Sequence, residues 1–453
     1  MKHPGLFSLN KPLYNGMCAG LFALVAAGCT SSGQDPQVTT LASAEGGGVL
    51  GGPLSDTLTV YAVDADSGQP LAGAYVSLGS GQSAHKVGQT GGDGKLVVSG
   101  LDGSPQMVSI NAAGYAATTW GFVESAIARI PLESMATPAE DAPISLSIPG
   151  WNDLPALPSG SYRIARFAFS RPKGLETLEA PLASAAPDCK QADTPTDCSV
   201  TLNVPADATA VLTVVAEGTD AGTPDDTNDD TLTVTALGIQ TGLSLHAAIA
   251  TALSMPLLDR TSVAQATLIP TAPGGGAFED VIGVPGISLD GQILLYPSLG
   301  PLTTSFLVPT ASGPFVNAKL WAVGTADNGT DAAWSRVYER GIDPPRSASD
   351  TIDLATSAFI DSPAVKKTGP SNYALTADGN LERLEIVTPS GERLNVLLFP
   401  TQTGFEVPSG VLSEEPTSVA IESFDIEVDL SAFDFADLAR LSTRVAYTRN
   451  DAL

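Results

Sequence analysis

Leu58-Thr-Val-Tyr-Ala-Val63, then Asp64-Ala-Asp-Ser-Gly-Gln-Pro70, then Leu71-Ala-Gly-Ala-Tyr-Val-Ser-Leu78 is the stretch that decides the fold class. Its first run is rich in β-branched and aromatic residues and alternates with period two, which predicts a half-buried strand. The second gathers Asp, Ser, Gly and Pro, the residues that close turns, and the third resumes extended structure. Working outward, a Gly-rich connection ends in Thr90-Gly-Gly-Asp-Gly94. Strands are expected at 95–99, 106–111 and 127–132, with a turn at 101–105. Short strands at this spacing predict a small β-sandwich.

The same texture runs on. Further strands are expected at 161–170, 199–204, 210–216 and 231–239, and later at 381–388, 393–399, 422–430 and 441–448. Pro389-Ser-Gly391 supplies the hairpin turn between 381–388 and 393–399. Only 243–257, rich in Ala and Leu, reads as a helix, although Thr251, Ser254 and Pro256 oppose it. VTLNVPADATAVLTVVAEGTDAG from Val200 echoes TSFLVPTASGPFVNAKLWAVGTADNG from Thr304. A repeated sandwich explains the echo, and so does convergent strand and turn composition. The expected architecture is all-β, with tandem β-sandwich domains: 54–135, a 140–345 region of one or two sandwiches, and a fibronectin-III-like or immunoglobulin-like sandwich over 346–453.

Composition supports folding and restricts partners. Of 453 residues, 45 are Gly, 34 are Pro and 43% are apolar, enough to build a core and to favour strands and turns. Twenty-two Lys and Arg stand against 49 Asp and Glu, a net charge of −27. That balance opposes nucleic acid as a partner, because phosphate binding needs a basic face.

Two resemblances add to this reading. Asp64, Ser67-Gly-Gln-Pro-Leu-Ala-Gly-Ala-Tyr-Val76, Thr90, Asp93-Gly94 and Ala113-Gly-Tyr115 together resemble the carboxypeptidase regulatory-like, transthyretin-like domain over about 56–134. The resemblance implies a non-catalytic sandwich of seven or eight strands, serving as spacer, stabiliser or carbohydrate-binding-like unit. It implies no peptidase, for the chain has no zinc-ligand cluster. At the other resemblance, Lys2 and Lys11 precede an apolar run from Met17 to Ala27 that is too short to span a membrane. The run ends in Val25-Ala-Ala-Gly-Cys29, which resembles the lipobox of bacterial lipoproteins. By that resemblance residues 1–28 are a signal peptide, Cys29 is the lipid attachment site, and Thr30, in place of a retention Asp, implies an outer-membrane address. Residues 29–53 read as a flexible tether, about 25–30 Å in reach. Loss of 1–28 removes two lysines and no acid, leaving a net charge of −29.

The chemistry on offer is limited. Cys189 and Cys198 in PDCKQADTPTDC predict a disulfide in an exported chain, contributing on the order of 2–3 kcal/mol. Beyond the signal only His85 and His246 remain, and neither lies in a nucleophile elbow or an H-E-x-x-H helix. No catalytic residue is assigned. Gly91-Gly-Asp-Gly-Lys95 lacks P-loop spacing and reads as a β-turn. Asp225, Asp226, Asn228, Asp229 and Asp230, with Asp220, crowd one loop, and Asp327, Asn328 and Asp331 another. Such oxygen ligands suit calcium, the one cofactor the chain suggests; solvated hairpin loops are the simpler account. Among the aromatic residues, Trp321 is expected in the core, and Trp151, in Pro149-Gly-Trp-Asn-Asp153, is the candidate exposed platform for a stacked sugar.

Three functions stay open at this stage. The first is a lipid-anchored, exported, non-catalytic surface or periplasmic module, partnered with the membrane through its lipid and with a glycan or surface protein. The second is a carbohydrate-binding or adhesion lipoprotein that uses Trp151 or calcium. The third is a secreted hydrolase with its carboxylates in 140–345.

Overall fold

The computed structural model describes residues 47–450 other than 66, 136–140, 171–188, 192–197, 207, 220–229, 248, 270–279, 290–291, 298, 301, 328–331, 357–358, 399–401, 427–432 and 435–441. Among them every regular element is a strand or a single 3-10 turn, so the chain is all-β. The expected helix at 243–257 is absent. In its place Thr251–Ser254 is a strand lying parallel to Asp141–Ser147, with Leu253 and Met255 buried in the core. Pro256 has no N–H to continue a helix, and burial of two apolar side chains outweighs the modest propensity of the alanines.

The chain divides into two compact units, one holding the described residues of 139–360 and the other those of 47–138 and 361–453. The first unit is a tandem of two sandwiches with identical wiring. In sandwich one, Asp141–Ser147 pairs antiparallel with Ser199–Pro205 and parallel with Thr251–Ser254. Facing it is an antiparallel sheet ordered Cys189–Gln191, Ser161–Phe169, Ala210–Thr219, Thr231–Thr241. In sandwich two, Val263–Ile269 pairs antiparallel with Ser305–Pro309 and parallel with Thr351–Ala355. Its second sheet runs Gln292–Leu295, Asp280–Leu289, Lys319–Asp327, Ala333–Ile342. The two echoing segments fall on equivalent strands of the two sandwiches, so the echo is a structural repeat. Thr351–Ala355 completes sandwich two, which carries that domain past the expected boundary at 345, because alternating Ile352 and Leu354 find a parallel partner in 263–269.

Ser161–Phe169 explains why its sequence fails to alternate. Ala165, Phe167 and Phe169 enter one core with Ile144, Leu202 and Val215. Tyr162, Ile164 and Ala168 enter another, shared with Leu212, Phe306 and Leu320 of both sandwiches. A strand buried on both faces reads as a continuous apolar run.

The second unit joins the first and last segments of the described chain. Gly48–Pro53, Ser125–Leu132, Thr57–Asp64 and Lys95–Ser99 lie side by side in one sheet. His85–Gln89, Tyr75–Leu78, Gln106–Asn111 and Ala117–Val123 lie side by side in another. Gly48–Pro53 was expected within the tether. It forms a strand because Gly47 and Gly51 let the backbone close on its neighbour: a Cβ at Gly47 would sit 2.2 Å from Pro131 Cδ, and one at Gly51 2.8 Å from Ile127 Cγ1.

A third four-stranded sheet in the 361–453 segment repeats the wiring of the other two: Arg393–Leu398, Leu381–Val387, Ser418–Ile426, Ser442–Asn450. Ala364–Lys367, Asn372–Thr376 and Gly404–Glu406 cover it. Ala117–Val123 then pairs in parallel with Arg393–Leu398, Leu394 opposite Ala117 and Leu398 opposite Gly121. The bare Gly121 admits Leu398, whose Cδ2 lies 2.6 Å from where a Cβ would stand. Met107 and Phe122 pack on the core of Leu384, Leu398 and Ile421. The 54–135 and 346–453 segments, expected as separate domains, thus share one unit from 361 onward.

The turn residues behind the first resemblance are structural. Asp64 Oδ1 accepts the Ser67 N–H at 2.7 Å and Oγ–H at 2.8 Å, and Oδ2 accepts the Tyr115 hydroxyl at 2.9 Å. Thr90 Oγ1 donates to Leu71 O and accepts the Ala74 N–H. Gly94 takes φ +69°, and a Cβ there would sit 2.7 Å from Ala62 O. Gly94→Ala is therefore expected to cost about 1–3 kcal/mol, read as a lower midpoint in urea unfolding.

Candidate functional site

The sequence nominated Trp151 as a ligand platform, and the structure buries it. Gly150, at φ 74°, turns the chain into the 3-10 turn Trp151–Asp153. The indole is folded inward, leaving Trp151 only 2% exposed within the core of sandwich one. The expectation of an exposed ring fails because the neighbouring Asn152 and Asp153 take the solvent and the largest apolar side chain of the turn takes the core.

Beside the ring lies an ion pair with a buried arginine. The Arg163 guanidinium stands 5.9 Å from the Trp151 ring centroid. Its Nε donates to Glu217 Oε1 at 2.8 Å, its Nη2 to the same oxygen at 2.5 Å and to Pro155 O at 2.6 Å. Arg163 and Glu217 are directly opposed on paired strands, which holds the ion pair in register. Outside the ring a cleft of about 440 Å³ is lined by Ser147, Pro149, Asn152, Asp153 and Ser199. The arginine is neutralised and its donors are directed at Glu217 and the 155 carbonyl. The arrangement clamps the 149–160 connection to the sheet.

The other nominated residues divide. Cys198 is buried at 3% exposure, belongs to the core around Trp151, and is disulfide-bonded. The Cys189 backbone pairs with Ala165, and its side chain lies outside the described residues. Cys29 also lies outside them, as do Asp225, Asp226, Asn228 and Asp229. Asp230 is described, and it departs from the expected solvated or calcium-binding loop. It is 3% exposed and accepts the Tyr162 hydroxyl at 2.5 Å. Gly218 leaves room for that tyrosine, with a Cβ there placed 3.2 Å from its hydroxyl. Among the described residues no three His, Cys, Asp or Glu side chains converge as a metal site.

His85 is exposed, its Nδ1 3.2 Å from Ser83 O, and His246 is exposed at an isolated bridge to Ile249. Trp321 is in the core as expected and meets Tyr338 edge to face. Trp120 is likewise buried, whereas Tyr75 is 45% exposed beneath Lys86 Nζ, 3.1 Å from its centroid.

Glu382 escaped the sequence reading. It is fully buried, and burial pushes its carboxyl up to about 7. In its strand, LERLEIV, polar and apolar residues alternate from Arg383 to Ile386, and Glu382 lies on the buried face with Leu384 and Ile386. Its position in phase with those two residues was the available signal.

No protein-family model and no curated protein matches the chain. Among solved structures, the chain is similar to the Bacillus anthracis TIE protein, at 10% identity over 67% of this chain and 50% of that one, with a TM-score of 0.15. The chain thus spans half the length of that protein. It is also similar to the shaft pilin SpaA from Lactobacillus rhamnosus GG, at 11% identity over 46% of this chain and 98% of that one, TM-score 0.14. A third similarity is to Salmonella alpha-2-macroglobulin, at 10% identity over 89% and 30%, TM-score 0.11.

Proposed function

We propose that the protein is an exported, lipid-anchored structural module of the cell surface, held to the outer membrane through Cys29. One observation supports the structural part of this reading: among the described residues, several buried polar and aromatic groups hold sheets and turns together. Arg163 and Glu217 clamp a connection, Tyr162 and Asp230 tie a hairpin, and Asp64, Ser67 and Tyr115 fix the first turn. Three sandwich sheets of the same wiring, two in one unit and one in the other, are the repeated parts of such a structural module. In the same reading the 56–134 segment is a carboxypeptidase regulatory-like module used as a spacer, and Cys198 pairs with Cys189. That bond would tie the strand Cys189–Gln191 of one sheet to the residue just before Ser199–Pro205 of the other.

Several acyl chains anchor stably where one binds marginally, so the anchoring is open to a clean test. Cys29→Ala is expected to shift the protein from a detergent-dependent membrane fraction to the soluble fraction, or to leave it unprocessed. Unchanged processing and unchanged fractionation would overturn the anchor.

A further inference from the structure

We propose that Glu382 is the catch of a pH-sensitive clasp, which holds residues 402–407 closed while its carboxyl is protonated and loosens them once it ionises. The inference goes beyond the structural reading above and does not depend on the lipid anchor.

The geometry is that of a buried acid with half its hydrogen-bonding capacity unused. Glu382 Oε2 accepts the Gln402 N–H at 3.0 Å, and Oε1 has no hydrogen-bond partner among the described residues. A neutral carboxyl tolerates this site; a carboxylate leaves a charge in apolar surroundings with one compensating donor. On its own strand the next residue of the same face is Leu384. Leu398 stands opposite on one neighbouring strand and Ser423 on the other. The Ser423 hydroxyl oxygen is engaged by the Gly379 N–H. Over this face lies Asn372–Thr376, whose titratable group, Tyr373, is raised to about 12 by burial and by Glu415, and so stays neutral through the range that matters. No charged side chain contributes to the raised carboxyl; burial is its cause, opposed only by the Gln402 N–H.

The clasp itself is a short strap. Gln402 is tied to Glu382, Thr403 O accepts the Leu375 N–H, and Gly404–Glu406 pairs with Asn372–Thr376. Val407 N–H donates to Ser371 O. Phe405 and Val407 are the strap's buried side chains and seal the core of Leu384, Leu398 and Val419. Ionisation strengthens the Gln402 bond itself but leaves a charge that the apolar surroundings do not solvate, and the three-residue strand lying over it is the short element that yields to admit water.

The sign follows from the direction of the raised carboxyl. Its pKa when folded is about 7, against an ordinary 4.5. The stabilisation gained from the proton is complete below 4.5 and is lost as pH rises through about 7. Between 4.5 and about 7 the opening equilibrium of the strap should grow about tenfold per pH unit and then level off, giving about tenfold between pH 6 and 8.5.

Hydrogen exchange of the full chain between pH 6 and 8.5, corrected for the intrinsic rates of free amides, tests this at Gly404–Val407. Wild type should lose protection about tenfold, while Glu382→Gln, an isostere of the neutral acid, should keep it within about twofold. Equal pH slopes in the two proteins, or a flat wild type, would overturn the clasp. Should the variant fail to fold, infrared titration of the wild type decides: a protonated carboxyl band must persist at pH 6 and disappear as pH rises through 7. Its absence at pH 6 would refute the proposal.

Discussion

Trp151→Ala is expected to destabilise the 139–360 unit by about 3–5 kcal/mol, because it empties the largest side chain from a core that also holds Phe167, Phe169 and Cys198. The loss has two parts. Burial of the indole is forfeited, and the Arg163 guanidinium loses the ring beside it and gains water next to its bond with Glu217. Trp151→Phe should recover more than half of the loss by refilling the space. Urea unfolding followed by circular dichroism measures both variants. A change under about 0.5 kcal/mol for the alanine would mean an exposed ring, and would restore Trp151 as a ligand platform.

Leu398→Asp should unfold the 47–138 and 361–453 segments together. Leu398 is fully buried, packs on Gly121 across the parallel seam, and belongs to the core that Met107 and Phe122 join from the first segment. A carboxylate there has no partner, at a cost above about 4 kcal/mol, while Leu398→Ala should cost about 2–5 kcal/mol through the cavity alone. Hydrogen exchange reports the decisive quantity. Amides of Thr57–Asp64 and Leu381–Val387 should lose protection in step. Protection kept at 57–64 and lost at 381–387 would show that the segments fold as independent domains.

Phe122 adds a local feature at the same seam. It is the non-glycine residue with positive φ among the described residues, at 61°, and its ring packs on the 361–453 core. The unfavourable backbone is held by the contacts on both sides of it.

The turns were the most legible part of the chain. Lys95–Ser99 and Gln106–Asn111 begin and end where alternation and flanking Gly, Ser and Pro place them. Ala117–Val123 was missed, although it is the seam strand. It is buried on both faces, so ATTWGFV shows no period to read. Gly48–Pro53 was missed for the opposite reason: it has two apolar side chains, and its glycines signal close approach only once the neighbour is known. At the candidate site the residue types were legible and their exposure was not. Trp151 and Asp230 both sit in polar stretches, and both are buried.

Sequence alone determined the all-β class and the local turns, whereas the Val200 and Thr304 echo became a repeat only once both sandwiches showed the same wiring. The class and the turns rest on side-chain period and on backbone preferences that act over a few residues. Tertiary structure alone decided that the first and last segments form one unit, that Thr351–Ala355 completes the second sandwich, and that Glu382 faces inward. Strand partners separated by hundreds of residues are chosen by which apolar faces fit, and a period of two says which residues share a face without saying which face is covered.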